Sequence, residues 1–321
     1  MKTPISRCRA KNGPLSCRYH SSGVSGGIAA KISQLEQRIE TDNANGVETP
    51  ADVFEELSRR KDELKLAQRE IDSRKLHQSL FRQMEKISNS GTEDIPHCPK
   101  QLEMDGRVVD VIRGHRLPES TRRLLRKNGY GCPDLMEISP SGNGAPLFHD
   151  LMEKTRVGKF ASSVWVYDED EYANMRLFVG RHGECGYALK THDDGTIDIV
   201  SVFSMPKNSI KAISEITDEE FGQIEPRISQ SMLLSAVANG GRVLDCFDTV
   251  LPQLYASVGF KEYSRDSWNE EYKPEGWDYD TYKSYNNGRP DVVYMRWDPS
   301  AWASPTLLHS AQIDYEELER D

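Results

Sequence analysis

Apolar positions follow two regimes along this chain. From Ile28 to Ile87 they are sparse and three or four residues apart: Ile28, Ile32, Leu35 and Ile39, then Val53, Leu57, Leu64, Ala67 and Ile71, then Leu76, Leu80, Met84 and Ile87 on a shifted face. A period near 3.6 predicts amphipathic helices. Gly46 interrupts the pattern, and Thr49-Pro50 restarts it with a threonine N-cap and a proline in the first turn. Glu, Lys and Arg fill nearly every other position, so the apolar stripe is too narrow to make a domain alone. Residues 28 to 88 are predicted to form an antiparallel helical hairpin or a coiled coil, acting as a spacer or as an arm for self-association.

From about residue 135 the pattern becomes that of a mixed domain. Leu147, Leu151 and Met152 predict a short helix, while Val164 and Val166, and Met175, Leu177 and Val179, alternate at strand spacing around an acidic turn. Gly186 to Lys190 and Thr196 to Phe203 predict two strands joined at Asp193-Asp194-Gly195, a hairpin signal. A polar stretch follows, then a helix from Pro226 to Asn239 stopped by Gly240-Gly241. Val243 to Phe260 reads strand, helix, strand. Val243, Leu244, Cys246 and Phe247 form the strand, Asp248-Thr249 the turn, and Leu251, Leu254, Tyr255 and Val258 one helix face before Gly259. Lys261 to Arg265 and Asp291 to Trp297 predict two closing strands. The long loop between them carries Trp268, Tyr272, Trp277, Tyr279, Tyr282 and Tyr285, which reads either as a lid over an acceptor or as a cover for the sheet end.

Residues 89 to 134 read as a connecting segment with a strand at Val108 to Ile112 and a helix from Pro118 to Lys127. Arg113, His115, Arg116, Arg122, Arg123, Arg126 and Lys127 make it locally basic, either a solvated face or a surface for an acidic partner.

Composition narrows the classes. Of 321 residues 37% are apolar, with a mean hydropathy of −0.66, so the core is expected in one region only. A net charge of −10 opposes general nucleic-acid binding, but residues 1 to 27 form a basic arm with Lys2, Arg7, Arg9, Lys11 and Arg18, suited to an acidic partner or nucleic acid. Residues 300 to 321 end in an acidic tail. No apolar run approaches the roughly 18 residues of a membrane span or forms a signal peptide. Six scattered cysteines fit reduced thiols better than disulfides, so a cytoplasmic protein is expected. Cys8, Cys17 and His20 would supply three zinc ligands, with His97-Cys98 nearby as a fourth; the alternative is an arm whose cysteines are incidental. Short openings of this kind resemble the starts of phage-encoded proteins.

The helix ending L-Y-x-x-x-G-F, Leu254 to Phe260, entered directly from an apolar strand, resembles the second half of an acetyltransferase domain of the GNAT superfamily. The resemblance covers residues 135 to 299, about half the chain. It implies an α+β fold with a mostly antiparallel sheet and flanking helices, acetyl-coenzyme A as donor, and a small-molecule or protein amine as acceptor. Tyr255 takes the position of the tyrosine that protonates the leaving thiolate. The superfamily's pyrophosphate turn, Q/R-x-x-G-x-G/A, is not matched: the interval SMPKNSIKAISEITDEEFGQIEPRIS holds one glycine, Gly222. Phosphate contacts fall instead to Lys207, Asn208 and Ser209, or to Arg227 to Ser229 at the helix start. For a base, Asp198, Ser201, Asp245 and Asp248 are available. Asp245 and Asp248 also oppose a thiolate at Cys246. The alternative to an acyltransferase is a catalytically degenerate GNAT-fold protein with a phage-type structural or interaction role.

Overall fold

The computed structural model describes residues 21–65, 67, 91–157, 161–205, 207–213 and 216–298, and the chain divides into two compact units, Met1–Ser73 and Arg74–Asp321. In the first unit, helix α1 (Ser21–Ala44) is followed by a turn at Gly46, whose φ of 67° suits glycine, and by helix α2 (51–65). Thr49 donates its hydroxyl to Asp42, and Lys61 of α2 pairs with Glu36 of α1 at 2.8 Å, which ties the two helices into a hairpin. The predicted stripe is the covered one: Ile32, Leu35 and Val53 are buried, and Ile28, Ile39, Leu57 and Leu64 half-buried.

The second unit is α+β, and its sheet is mostly antiparallel. In chain order it has β1 (Glu93–Asp94), β2 (Gln101–Met104), β3 (Arg107–Arg116), α3 (Glu119–Lys127), β4 (Leu135–Ile138), α4 (Gly144–Thr155), α5 (Glu169–Tyr172), β5 (Arg176–Gly180), β6 (Cys185–Thr191) and β7 (Ile197–Ser204). Then come α6 (Lys207–Ile213), α7 (Asp218–Gly222), α8 (Ser229–Ala238), β8 (Val243–Phe247), α9 (Leu251–Ala256), β9 (Phe260–Asp266) and β10 (Val292–Trp297). The strand order is β1-β3-β4-β5-β6-β7-β8-β10-β9, with β2 paired to β3 off this path.

Alternation along the strands divides the core in two. Phe178, Tyr187, Ile199 and Leu244 face one side of the sheet and pack with Leu125 of α3, Leu233 of α8 and Tyr255 of α9. Leu177, Val179, Ala188 and Val200 face the other and pack with Phe148 of α4, Tyr172 of α5 and Ile210 of α6. These are called here the first and second faces.

Three local features differ from the sequence reading. The sheet begins at Glu93, not near residue 135: β3 pairs with β4 through Val111 opposite Ile138 and His115 opposite Leu135, and Val109 and Met104 are buried in the second-face core. Charged residues interleave these strands and hide their alternation. Val164 and Val166 form no strand; they lie in irregular chain against the second-face core, and Asp168 starts α5 through a capping box with Glu171. The polar stretch after β7 holds two short helices, the second opened by a Thr217/Glu220 capping box.

The basic stretch of residues 113 to 127 is largely neutralised in place. Arg113 pairs with Asp94, Arg116 with Asp134, Arg122 and Arg123 with Glu119, and Arg126 with Glu225, while His115 is buried.

Candidate functional site

β7 and β8 run parallel, and among the described residues a single register pair joins them, Asp198 opposite Val243, with Arg242 N–H donating to Ile197 C=O at 2.8 Å. Beyond that pair β7 continues along β6 and β8 along β10, so the sheet splits between their carboxyl ends. Ser201 marks the departure: its φ is +54°, and the β6–β7 ladder shifts register opposite it. Tyr172, fully buried, shares a 2.8 Å hydrogen bond with the Ser201 hydroxyl and accepts from Tyr167 N–H at 3.3 Å, which fixes the bulge to α5. The carboxyl ends of strands at such a break are where α/β sheets bind ligands.

Asp198 and Asp245 flank the split on the second face. One Asp198 oxygen, Oδ1, is buried without a hydrogen-bond partner; the other lies 3.5 Å from His192 Nε2. Burial, followed by the neighbouring Asp245 charge, pushes the Asp198 carboxyl up to about 6. Burial also raises Asp245, although its side chain reaches solvent. Tyr167 stands near both aspartates: burial and then the Asp245 and Asp198 charges raise its hydroxyl well above the phenol range, so it stays protonated. Lys190 sits 4.8 Å from the Tyr167 ring centre and 3.5 Å from Glu171.

Tyr255 approaches from the first face. Entry from β8 through the Asp248-Thr249 turn and the stop at Gly259, with φ of 97°, hold α9 to a short helix. The Tyr255 ring packs 6.4 Å from Phe260 and is half-buried. Burial pushes its hydroxyl far above the phenol range, with Cys246 and Asp245 adding to the shift, so it is protonated throughout the physiological range. Cys246 is likewise raised by burial, then by Asp245 and Asp248, and remains a thiol, as the sequence predicts.

The residues assigned to phosphate separate. α6, with Lys207, Asn208 and Ser209 in its first turn, belongs to the second face through Ile210, whereas Ser229 opens α8 on the first. The α8 start carries the stronger donor geometry: its N-cap, Ile228, gives no side-chain cap, and left-handed Arg227, φ 54°, precedes right-handed Ile228. That alternation turns successive N–H groups toward one point. Glu225, the acid just before it, is held by Arg126 at 2.6 Å and accepts from Cys132 N–H.

The aromatic loop between β9 and β10 packs on itself. Trp277 stacks on Tyr282 with centroids 4.0 Å apart, donates to Gly288 C=O at 2.9 Å, and lies 4.9 Å from both Trp268 and Phe247 of β8. It covers the end of β8, and spacings this short leave no room for a ligand between these rings.

Among the described residues no group of three His, Cys, Asp or Glu side chains is arranged to hold a metal. Cys8, Cys17 and His20 lie outside the described residues, as do the rest of residues 1–20 and the acidic tail, while residues 21–27 of the arm belong to α1. No described helix is long and apolar enough to cross a membrane.

The sequence named Asp198, Ser201 and Asp245 only as available groups. What it did not supply is their meeting across the split, or the parts of Tyr167 and Tyr172, which flank what the sequence reads only as an acidic turn. Comparison with family models, curated proteins and solved structures finds no match to this chain.

Proposed function

We propose that this protein is a GNAT-type N-acyltransferase that uses acetyl-coenzyme A on an amine acceptor. The observation that carries the reading is the split between β7 and β8, with β10 inserted between β8 and β9, the Asp198–Asp245 pair beside the split, and Tyr255 on the opposite face of β8 near enough to Cys246 and Asp245 to feel their charges. When bound, the thioester supplies an activated acetyl group. The α8 N-terminus, with Arg227, Ile228 and Ser229, offers the donors and positive dipole end that a pyrophosphate needs. Unpaired strand edges in the split suit an extended amide-bearing arm. Tyr255, kept protonated, is the group that donates a proton to a leaving thiolate, and the carboxylate pair is the group that accepts one from the amine.

The test has two parts. Acetyl-coenzyme A at about 100 times its dissociation constant should stabilise the fold by roughly 2.7 kcal/mol in a thermal melt. Tyr255→Phe should retain that shift while lowering turnover about 10²- to 10⁴-fold. No shift at millimolar ligand in folded protein rejects the reading.

A second reading, a non-catalytic GNAT-fold interaction protein, is favoured by one observation: the interval between β7 and α8 is filled by α6 and α7 where a glycine-rich turn would stand. Under that reading the melting shift is absent and Tyr255→Phe changes stability alone.

A further inference from the structure

We propose that the outer edge of β9 is a self-association surface, on which β9 of a second copy of this chain pairs antiparallel across a two-fold axis. β9 is the last strand in the sheet order, and among the described residues it pairs with β10 alone. Every residue from Lys261 to Asp266 is exposed. An open edge of this length invites other strands, and a lysine and a bulge on an edge ordinarily keep them off. Here both are arranged so that one partner satisfies them. The ion pairs of β9 all involve Arg265, which holds Glu262 at 2.9 Å and Asp291 at 3.4 Å besides Asp248; Lys261 and Asp266, near the two ends of the strand, have no ion-pair partner among the described residues. Asp266 only accepts from the Tyr294 hydroxyl at 3.0 Å.

A two-fold axis normal to the sheet keeps each residue on its own face, so residues that meet across it must share one. The β9–β10 ladder sets those faces. Phe260, Glu262 and Arg265 stand opposite Trp297, Met295 and Val293, all packed in the first-face core, whereas Lys261, Ser264 and Asp266 stand opposite Arg296, Tyr294 and Val292 on the second. The ladder shifts register between Tyr294 and Met295, and Tyr263 is the extra residue. Its ring lies 6.4 Å from that of Tyr294 and 4.8 Å from the Arg296 guanidinium, which puts it on the second face with Ser264. Strict alternation would send Lys261 and Asp266 to opposite faces; the bulge brings them to the same one. The register that sets Tyr263 against the partner's Ser264 therefore sets Glu262 against the partner's Arg265 and Lys261 against the partner's Asp266, each pair on one face and each ion pair opposite in charge. A slip of one residue sets Lys261 against the partner's Arg265, or Glu262 against the partner's Asp266, and like charges repel. The same edge thus rejects strands of other sequence and accepts its own.

A single strand pairing buries less than the roughly 1,200 Å² of a standard interface, so the dimer belongs to micromolar protein. The full chain is sedimented to equilibrium from about 1 to about 300 μM at about 100 mM salt, which leaves charges in contact largely unscreened. The unmodified protein should pass from monomer to dimer in that range. Lys261→Glu and Asp266→Lys should each weaken the dimer at least tenfold, because either one places like charges together at both symmetry-related sites. An equimolar mixture of the two variants should restore association to within about threefold of the unmodified protein, since the introduced glutamate meets the introduced lysine while the native pair remains at the other site. Each variant is checked for an intact melting transition. If one does not fold, amide exchange in the unmodified protein decides, because β9 should be better protected at the high end of the concentration range than at the low end. A monomer throughout, a dimer that either folded variant keeps at full strength, a mixture no stronger than its components, or β9 exchange that ignores concentration overturns the proposal.

Discussion

Two carboxylates of this protein are driven in opposite directions by their surroundings. Asp198 is pushed up to about 6, by burial and then by Asp245. A folded value above the unfolded 3.8 means that its stability contribution is complete below about pH 4 and is lost as the pH rises through about 6. Asp198→Asn should therefore stabilise the fold at pH 7, by up to about 3 kcal/mol at roughly 1.4 kcal/mol per unit, with the gain vanishing below pH 4 in denaturant titrations. Loss of turnover beside a gain in stability would mark a group kept for its chemistry. Glu137 shows the reverse. Burial opposes its charge, but hydrogen bonds from His115 and Arg176 outweigh it and hold the carboxyl down at about 2. Its contribution is present above 4.5 and lost as the pH falls through about 2. The Thr92–His115–Glu137 chain looks like a nucleophile triad, yet Arg176 binds Glu137 at 2.7 and 3.0 Å and compensates its charge, so the cluster braces β3, β4 and β5.

At the scale of elements, the β7 bulge decides whether the sheet can open. A non-glycine residue at positive φ is strained unless its surroundings hold it there, and Ser201 is held by Tyr172. Tyr172→Phe removes one hydroxyl and leaves its partners on Ser201 and Tyr167 unsatisfied in a buried setting. The expected cost is about 1–3 kcal/mol, with faster amide exchange confined to β7 and the chain around Tyr167. Exchange protection equal to that of the unmodified protein in both segments would separate the bulge from Tyr172. The aromatic loop belongs at this scale too: its rings satisfy one another, so it is a small core of its own built on Phe247.

For the molecule as a whole, the consequential boundary lies before Glu93. β3 covers the edge of β4 along its length, and Met104 and Val109 bury their side chains in the second-face core. A fragment from residue 91 onward should fold and melt cooperatively. One from residue 135 exposes the β4 edge and loses those side chains, each worth about 2–5 kcal/mol when truncated in a core, and should aggregate or fail to melt cooperatively. Equal melting behaviour of the two fragments would show that β1 to β3 are an accessory to the sheet.

By itself the sequence determined the local elements wherever one period dominated. The helical stripe of Ile32, Leu35 and Val53, the Asp-Asp-Gly hairpin, α8 with its glycine stop, and the succession β8, α9, β9 all follow from side-chain spacing and from turns that only certain residues make. It placed Tyr255 on a helix face by spacing alone, and it set Asp245 and Asp248 beside Cys246 to oppose a thiolate, although burial in the folded sheet is the larger cause of the raised thiol. The tertiary structure decided the rest. β3 has charged residues between its buried ones, and its place in the sheet comes from pairing with β4, a contact no local pattern encodes. Asp198 and Asp245 meet because β7 and β8 run parallel across a helical crossover, and both carboxyls are raised by burial, with the Asp245 charge adding to the shift at Asp198. Local preference is written residue by residue; proximity between distant residues, and the desolvation that follows from it, exists only once the sheet has closed around them.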